Sequence, residues 1–201
     1  MIVVDIETSG LDFNKCGIWQ IGAVDLESME EFLDEARIDD EDEIIDEGEK
    51  KVLEIIGKKE KELRDKNKQS QKEMIDKFFK WIKNRKIKNF ICQNPEFDVG
   101  FLIVKAKKYS LEIPIPHRAF DLHSIAQTRF FQIKGEFLIK EGKSDLGLTN
   151  ILDFVGMEDN RKAHNGLEDA KLEAECFSRL IYGKNLFKEY SKFQLPKYLQ
   201  K

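Results

Sequence analysis

The chain has 201 residues, of which 41% are hydrophobic and 36% charged, with a formal net charge of −4 at pH 7. This length suits one domain whose core needs neither disulfides nor zinc, and the negative charge argues against a protein that binds nucleic acid by bulk attraction alone. Three widely spaced cysteines without CxxC spacing argue against a disulfide framework. No signal-peptide pattern or membrane-length apolar run occurs in the sequence, so we expect a cytoplasmic protein without membrane contact.

Charge is unevenly distributed along the chain. Residues 25–49 hold 14 acidic residues against one arginine, whereas residues 50–88 hold 15 basic residues against 6 acidic ones. A solvated acidic loop followed by a basic helix face explains this pattern, and a basic lip that follows a phosphate backbone is the alternative. The run DDEDE at 39–43 lacks the glycine and glutamate spacing of a calcium-binding EF-hand.

The order of elements predicts hairpin strands first and interleaved helices later. Apolar runs predict strands over 1–6 and 18–26, a shorter strand within 30–38, and a polar helical stretch from about 41. Helical spacing of Ile75, Phe78, Phe79 and Ile82 predicts a helix over 71–85. The pattern then predicts a strand over 88–94, a helix over 95–110, a strand over 118–122 and helices at about 122–132, 146–155 and 167–182. This order indicates an α/β domain with a mixed sheet.

Two acids interrupt the first apolar strand. Asp5 and Glu7 are two residues apart, so on a strand they project from one face with α-carbons roughly 6.6 Å apart. Unpaired charge beside an apolar core costs free energy unless a cation or hydrogen bonds compensate it. The alternative is that the strand ends at Asp5 and that water solvates both acids.

A third acid begins a predicted helix. Asn94 followed by Pro95 resembles an N-cap with proline at the first helical position, which leaves Asp98 in the first turn beyond the cap. Asp98 shares its side of the helix with Phe101 and Leu102, so it should point toward the interior. A favourable interaction with the helix N-terminus is the alternative explanation.

A histidine and a fourth acid lie near the end of the chain. Asp169 falls in the first turn of the last predicted helix, beside its buried stripe, and His164 comes five residues earlier in a loop. A loop histidine can be presented to solvent or substrate, although a lone one is usually an ordinary surface residue.

Taken in order, DIETSGL (5–11), QNPEFDVGFL (93–102) and HNGLEDA (164–170) resemble the three motifs of the DEDDh, or DnaQ-like, 3′→5′ exonucleases. The HxxxxD spacing separates this branch from its tyrosine-bearing relatives, and weaker similarity extends over about residues 2–182. Gln20 stands where many members carry Glu, Gln93 stands where a His often precedes the Asn, and residues 27–70 are unusually charged.

The resemblance implies a ribonuclease-H-like α/β fold, with a five-stranded mixed sheet flanked by helices. It implies an exonuclease domain over 1–183 and a short tail over 184–201, which could dock on the domain or on a partner. Two ions, Mg²⁺ or Mn²⁺, would be held about 3.5 to 4 Å apart. Their implied ligands are Asp5, Glu7, Asp98 and Asp169, and His164 would take a proton from the attacking water.

The implied substrate is a single-stranded nucleic acid with a free 3′ end, trimmed to nucleoside 5′-monophosphates. Thr8, Leu11 and Phe97 would contact its terminal nucleotide. The enzyme could act in DNA proofreading or repair, with a polymerase or another replication or repair protein as its partner. The nearest alternative is an oligoribonuclease-like enzyme that trims RNA. A non-catalytic nucleic-acid-binding or polymerase-associated module and a structural domain with solvated acids are the other interpretations.

Overall fold

The computed structural model describes residues 1–38, 45 and 51–200. Its strands are β1 (Ile2–Thr8), β2 (Ile18–Asp25), β3 (Glu31–Glu35), β4 (Phe90–Cys92), β5 (Phe120–Asp121), β6 (Ile139–Lys140) and β7 (Lys143–Ser144). Its α-helices are α1 (Lys51–Ile56), α2 (Glu60–Leu63), α3 (Gln71–Lys83), α4 (Pro95–Lys108), α5 (Leu122–Lys134), α6 (Leu148–Phe154) and α7 (Gly166–Tyr182). The DDEDE run and the start of the helical stretch predicted from 41 lie outside the described residues.

Five strands form one mixed sheet in the order β3-β2-β1-β4-β5. The apolar strand β1 lies at its centre, antiparallel to β2 and parallel to β4. β3 extends the antiparallel side, and β5 extends the parallel side. The predicted five-stranded mixed sheet flanked by helices is therefore confirmed. β6 and β7 form a separate two-stranded hairpin.

Alternation along β1 separates two hydrophobic cores. Ile2, Val4 and Ile6 belong to the core under α3 and α4, whereas Val3 belongs to the core under α5, α6 and α7. Asp5 and Glu7 have the same parity as Val3, so they project toward the face that α7 covers. The apolar residues that predict α3 are all buried: Ile75, Phe78, Phe79 and Ile82.

The chain beyond α7 packs on the second core. Buried Arg179 donates hydrogen bonds from Nη2 to the carbonyl oxygens of Tyr190 at 3.0 Å and Phe193 at 3.2 Å. Leu199 is buried in the same core. The division into 1–183 and 184–201 stays a prediction. Within the described residues, no helix has the length and apolarity to cross a membrane.

Candidate active site

Two of the predicted site residues lie inside β1, which continues to Thr8 instead of ending at Asp5. In the antiparallel ladder, Asp5 faces Gly22 and Glu7 faces Gln20. The strand presents both carboxylates on the face that α7 covers, so they are packed against a helix instead of being solvated at a strand end.

Asp98 reaches the same place from α4. Pairing between β1 and β4 covers only Ile2 with Phe90 and Val3 with Ile91, so the edge of β1 is open beyond this point. Asp98 fills the gap, because its Oδ1 accepts a hydrogen bond from the Ile6 N–H at 3.1 Å. The side chain is only 4% exposed. Its role in the fold is thus to complete the edge of β1.

The turn before α4 differs from the predicted cap. Asn94 stands at the N-cap position with a φ of 67°, but its side chain makes no capping hydrogen bond. Its backbone N–H instead donates to Asp121 Oδ1 at 3.3 Å. The left-handed conformation, which Asn tolerates better than most residues, turns the chain sharply from β4 into the helix that carries Asp98.

Two glycines let α7 begin directly against the sheet. A Cβ atom added to Gly22 would lie 2.0 Å from the Gly166 carbonyl carbon, and one added to Gly166 would lie 3.0 Å from the Asp5 carbonyl oxygen. Gln20 Oε1 accepts a hydrogen bond from the Gly166 N–H at 2.7 Å. This close approach brings Asp169, in the first turn of α7, to the acids of β1.

His164 and Arg161 lie on either side of Asp169. The His164 Nδ1 is 3.2 Å from Asp169 Oδ2, and the Arg161 Nη1 is 3.3 Å from Asp169 Oδ1. The Asp169 side chain is 2% exposed, but that of His164 is 45% exposed. The Arg161 guanidinium also donates to Asp159 from Nε at 2.9 Å and from Nη2 at 2.7 Å. The loop before α7 therefore supplies one fixed cation and one accessible imidazole.

Burial raises the pKa of three acids at the cleft, Asp5, Glu7 and Asp98. Burial is the main cause that raises the pKa of Glu7 to about 8 and that of Asp98 to about 7. Burial also raises the pKa of Asp5, and the charges of Glu173 and Glu7 add to this effect. The His164 pKa is raised as well, chiefly by its hydrogen bond to Asp169. The site stabilises positive charge and resists further negative charge.

A fifth acid, Glu173, lies at the site and was not predicted from the sequence. It lies one turn after Asp169 on α7, is 2% exposed, and accepts a hydrogen bond at Oε2 from the Gln93 N–H at 3.2 Å. Burial, followed by the charge of Asp98, raises the pKa of Glu173. The available signal was its position four residues after Asp169, which puts both acids on one helix face.

A cleft of about 270 Å³ opens in front of the acids. Its wall contains the predicted substrate contacts Thr8, Leu11 and Phe97 together with Asp5, Glu7, Asp98 and His164. Leu11 is 59% exposed at this surface. Asp169 is not part of the wall. The other lining residues are Ile6, Gly10, Ile56 and Gln93, and none of these four was named as a site residue from the sequence.

The donor atoms fit divalent cations. Asp5, Glu7, Asp98 and Asp169 offer carboxylate oxygens, which are the ligands that Mg²⁺ and Mn²⁺ prefer. Glu7 Oε1 is buried and has no hydrogen-bond partner among the described residues. Because a buried oxygen without a partner costs free energy, a cation at this position would compensate it.

Comparison with known proteins agrees with this geometry. The family RNase_T, described as Exonuclease, matches residues 2–177. A search of curated proteins found no match.

Solved structures share the fold at low sequence identity. The nuclease domain of 3′hExo, a DEDDh family member bound to rAMP, has a TM-score of 0.64 and 15% identity over 98% of this chain and 95% of its own. Cell-death related nuclease 4 has a TM-score of 0.67 and 14% identity over 92% of this chain and 64% of its own. An exonuclease I structure has a TM-score of 0.70 and 16% identity over 91% of this chain, which spans 40% of that protein. This chain belongs to the exonuclease family, and it shares the ribonuclease-H-like fold of these solved nucleases.

Proposed function

We propose that this protein is a metal-dependent 3′→5′ exonuclease that hydrolyses phosphodiester bonds at the 3′ ends of single-stranded DNA or RNA. The observation that carries the proposal is the meeting of Asp5, Glu7, Asp98 and His164 in the wall of one cleft, with Asp169 behind His164. Three separate motifs supply these residues. A domain with unrelated surface acids would not bring them to one place.

Asp5, Glu7, Asp98 and Asp169 would hold two divalent ions, Mg²⁺ or Mn²⁺. When bound, these ions would act as Lewis acids that stabilise the charge on the attacking and leaving oxygens. Cations would also let the phosphate of the substrate approach acids that otherwise repel it. The raised pKa values of Glu7 and Asp98 support this requirement.

His164 would act as the general base. A water oxygen attacks phosphorus, its proton passes to the imidazole, and the bond between phosphorus and the 3′ oxygen of the preceding nucleotide breaks. The leaving oxygen takes a proton from solvent, and a nucleoside 5′-monophosphate is released. The side chain is accessible and its loop position permits the small movement that proton transfer requires.

The cleft wall beyond the acids would hold the terminal nucleotide. Leu11 is exposed there, and Phe97 is fixed by an edge contact with Phe101 whose ring centroids are 4.9 Å apart. Apolar and aromatic surfaces stack on any base, which suits an enzyme that trims ends without reading sequence. The Thr8 hydroxyl donates to the Gly10 carbonyl oxygen at 2.8 Å, so it stabilises the turn and leaves backbone groups for the substrate.

Structural neighbours support a single-stranded substrate. One exonuclease I structure from E. coli contains a dT13 oligonucleotide, and the 3′hExo nuclease domain contains rAMP. The activity would serve proofreading or repair beside a polymerase if DNA is preferred, and oligoribonuclease-like trimming if RNA is preferred. A non-catalytic binding module is the alternative of another class.

Matched DNA and RNA oligonucleotides, labelled at the 3′ or the 5′ end, test the proposal with Mg²⁺, Mn²⁺ or EDTA. We expect mononucleotides from the 3′ end in the presence of metal and protection by a blocked 3′ terminus. Asp98→Asn should be inactive, whereas Asp76→Asn, at a partly exposed acid on α3, should retain full activity. Activity undiminished by EDTA, or rapid cutting of closed circular strands, would refute the proposal.

A further inference from the structure

The β6–β7 hairpin is fixed to α5, although it lies outside the main sheet. Gln127, which is buried on α5, donates from Nε2 to the Leu138 carbonyl oxygen at 3.0 Å, and its Oε1 accepts from the Leu138 N–H at 3.2 Å. On the other strand, the Ser144 hydroxyl oxygen lies 2.7 Å from His123 Nε2. Both sides of the hairpin are therefore held by one helix, so the side chains that it exposes have a defined position.

The hairpin lies at the same edge of the sheet as the cleft. β1, β4 and β5 run parallel, so their carboxyl ends lie at one edge. Gln93 of the cleft wall follows β4, and the next N–H, that of Asn94, donates to Asp121 at the end of β5 at 3.3 Å. Gln93 Nε2 also lies 3.5 Å from the carbonyl oxygen of Leu146, two residues after β7. A nucleic-acid strand that leaves the cleft past Gln93 therefore reaches the hairpin next.

Two lysines flank the hairpin turn and point away from α5. Lys140 and Lys143 are directly opposite each other in the ladder. Ser144 points toward α5 and side chains alternate along a strand, so Lys143 and its partner Lys140 point outward. Both lysines are exposed, and neither has an ion-pair partner among the described residues. Because like charges directly opposite each other destabilise a hairpin, an anion bound between them would be stabilising.

An aromatic pair precedes the lysines in the chain. The rings of Phe131 on α5 and Phe137 are stacked, with centroids 4.7 Å apart and an interplanar angle of 27°. They are nevertheless 45% and 55% exposed. Residues 129–144 hold four basic residues against two acidic ones, a net charge of +2 in a chain whose net charge is −4. Exposed ring faces together with unpaired lysines suit single-stranded nucleic acid, whose bases stack on the rings and whose phosphates pair with the cations.

We propose that the hairpin surface, formed by Phe131, Phe137, Lys140 and Lys143, binds the part of a single-stranded substrate that lies 5′ to the cleft. The proposal rests on the proposed function, because its ligand is the strand whose 3′ end occupies the cleft. His123 and Phe131 are eight residues apart on α5, or about 12 Å along the helix, so only a strand that extends well beyond the cleft reaches the whole surface. Phosphate pairing and stacking make this contact independent of base sequence.

Fluorescence anisotropy with 5′-labelled single strands of about 4 and about 20 nucleotides tests the surface in Mn²⁺, on the inactive Asp98→Asn background. Lys140→Gln with Lys143→Gln should weaken binding of the long strand about tenfold, and binding of the short strand less than about twofold, because the short strand ends before the hairpin. The slope of log affinity against log salt for the long strand should become shallower by about 1.4, the value for two lost phosphate contacts. The matched control, Lys80→Gln with Lys107→Gln, removes two exposed lysines from α3 and α4 and should leave both affinities unchanged.

A second variant tests the aromatic pair. Phe131→Leu with Phe137→Leu keeps apolar side chains but removes the ring faces, so it should weaken binding of the long strand at least about fivefold and spare the short one. Unchanged affinity of both variants for the long strand, or an equal loss for the two lengths or in the lysine control, would overturn the surface. Loss of self-association in sedimentation, with nucleic-acid affinity intact, would instead assign this face to a second copy of the chain. If binding of the long strand depends on the hairpin but wild type shows no nuclease activity, the proposed function fails and the surface stands.

Discussion

Asp98 shows how one side chain can serve the fold and the candidate site together. Its Oδ1 takes the Ile6 N–H that β4 leaves unpaired, and its burial raises its pKa to about 7. A carboxylate so placed is rigid and poorly solvated. His164 is the opposite case, because it is accessible and lies before the helix. The two residues therefore suit the different tasks proposed for them, a fixed metal ligand and an accessible base.

His164→Ala should lower turnover on labelled oligonucleotides about 10²-fold or more, as expected for loss of a positioned base. Mn²⁺ binding and the thermal midpoint should change little, because the side chain is half exposed on a loop. The measurements are kcat on the labelled oligonucleotides and calorimetric titration with Mn²⁺. His117→Ala, which removes another exposed histidine, serves as the control variant. A variant that keeps near wild-type turnover at neutral pH would show that another group accepts the proton.

At the scale of elements, the docking of α7 on β2 decides whether the acids meet. Gly22 and Gly166 permit backbone contact, and Gln20 caps the first N–H of α7. Gln20 Nε2 also donates to Glu35 Oε1 at 3.0 Å, which links the helix start to β3. Gln20 therefore connects three elements inside the protein, β2, β3 and α7.

Gly22→Ala should destabilise the protein by about 3 kcal/mol or more, because the added carbon collides with backbone atoms at the start of α7. To relieve the collision, α7 would have to move away from the sheet and lose its packing. The midpoint of thermal unfolding should fall by about 6 °C or more. Gly100→Ala in α4 is the matched control. Its added carbon lies 3.8 Å from Phe13, so it should stabilise the helix by about 0.5 to 1 kcal/mol. Similar midpoints for the two variants would contradict the close-docking account.

The elements that were predictable from the sequence carry long, regular patterns. β1 starts with a continuous apolar run and α3 has regular apolar spacing, and both lie where the pattern predicts them, although β1 continues two residues further, to Thr8. The hairpin of β6 and β7 was not predicted, because its strands have two residues each and are exposed. Its turn uses Glu141 and Gly142, both with positive φ, where an Asn-Gly or Asp-Gly pair would have signalled a hairpin.

The candidate site was predictable only in part for a similar reason. The spacing of Asp5 and Glu7 within an apolar strand pattern is enough by itself to indicate a shared face. Arg161 carries no such signal, and the spacing of Glu173 from Asp169 is a weaker one, since a charged residue on an amphipathic helix or loop is usually solvated. The burial of Glu173 follows from long-range packing against the turn at Gln93, which no local pattern encodes. Arg161 pairs locally with Asp159 and meets Asp169 only because the loop folds back on α7.

At the scale of the whole molecule, the clustered acids lower the free energy of unfolding when they are ionised. Glu7 and Asp98 have folded-state pKa values of about 8 and about 7, above the ordinary values of 4.5 and 3.8. Each group therefore binds a proton more tightly in the folded protein, so its contribution is favourable at low pH and is lost as pH rises through the folded pKa. The raised His164 pKa acts in the same direction.

The midpoint of thermal unfolding in EDTA should accordingly fall as pH rises from about 5 to about 8. Glu7→Gln should flatten this dependence, because the neutral amide does not titrate. Saturating Mg²⁺ should also flatten it by neutralising the ionised acids. Melts across this pH range measure the slope for each protein. A midpoint that rises with pH in EDTA would contradict the clustered-acid account.

Thermal melts of wild type and Asp98→Asn at neutral pH, in EDTA and in saturating Mg²⁺, test the central claim that these acids form a metal site at the expense of stability. Asn keeps the shape of Asp98 and an oxygen for the Ile6 N–H but removes one charge, so the variant should melt higher than wild type in EDTA. Mg²⁺ should shrink or reverse the difference, because it stabilises the native wild-type site more. A variant that melts lower than wild type by an amount independent of Mg²⁺ would show that Asp98 serves the helix N-terminus and would contradict the claim.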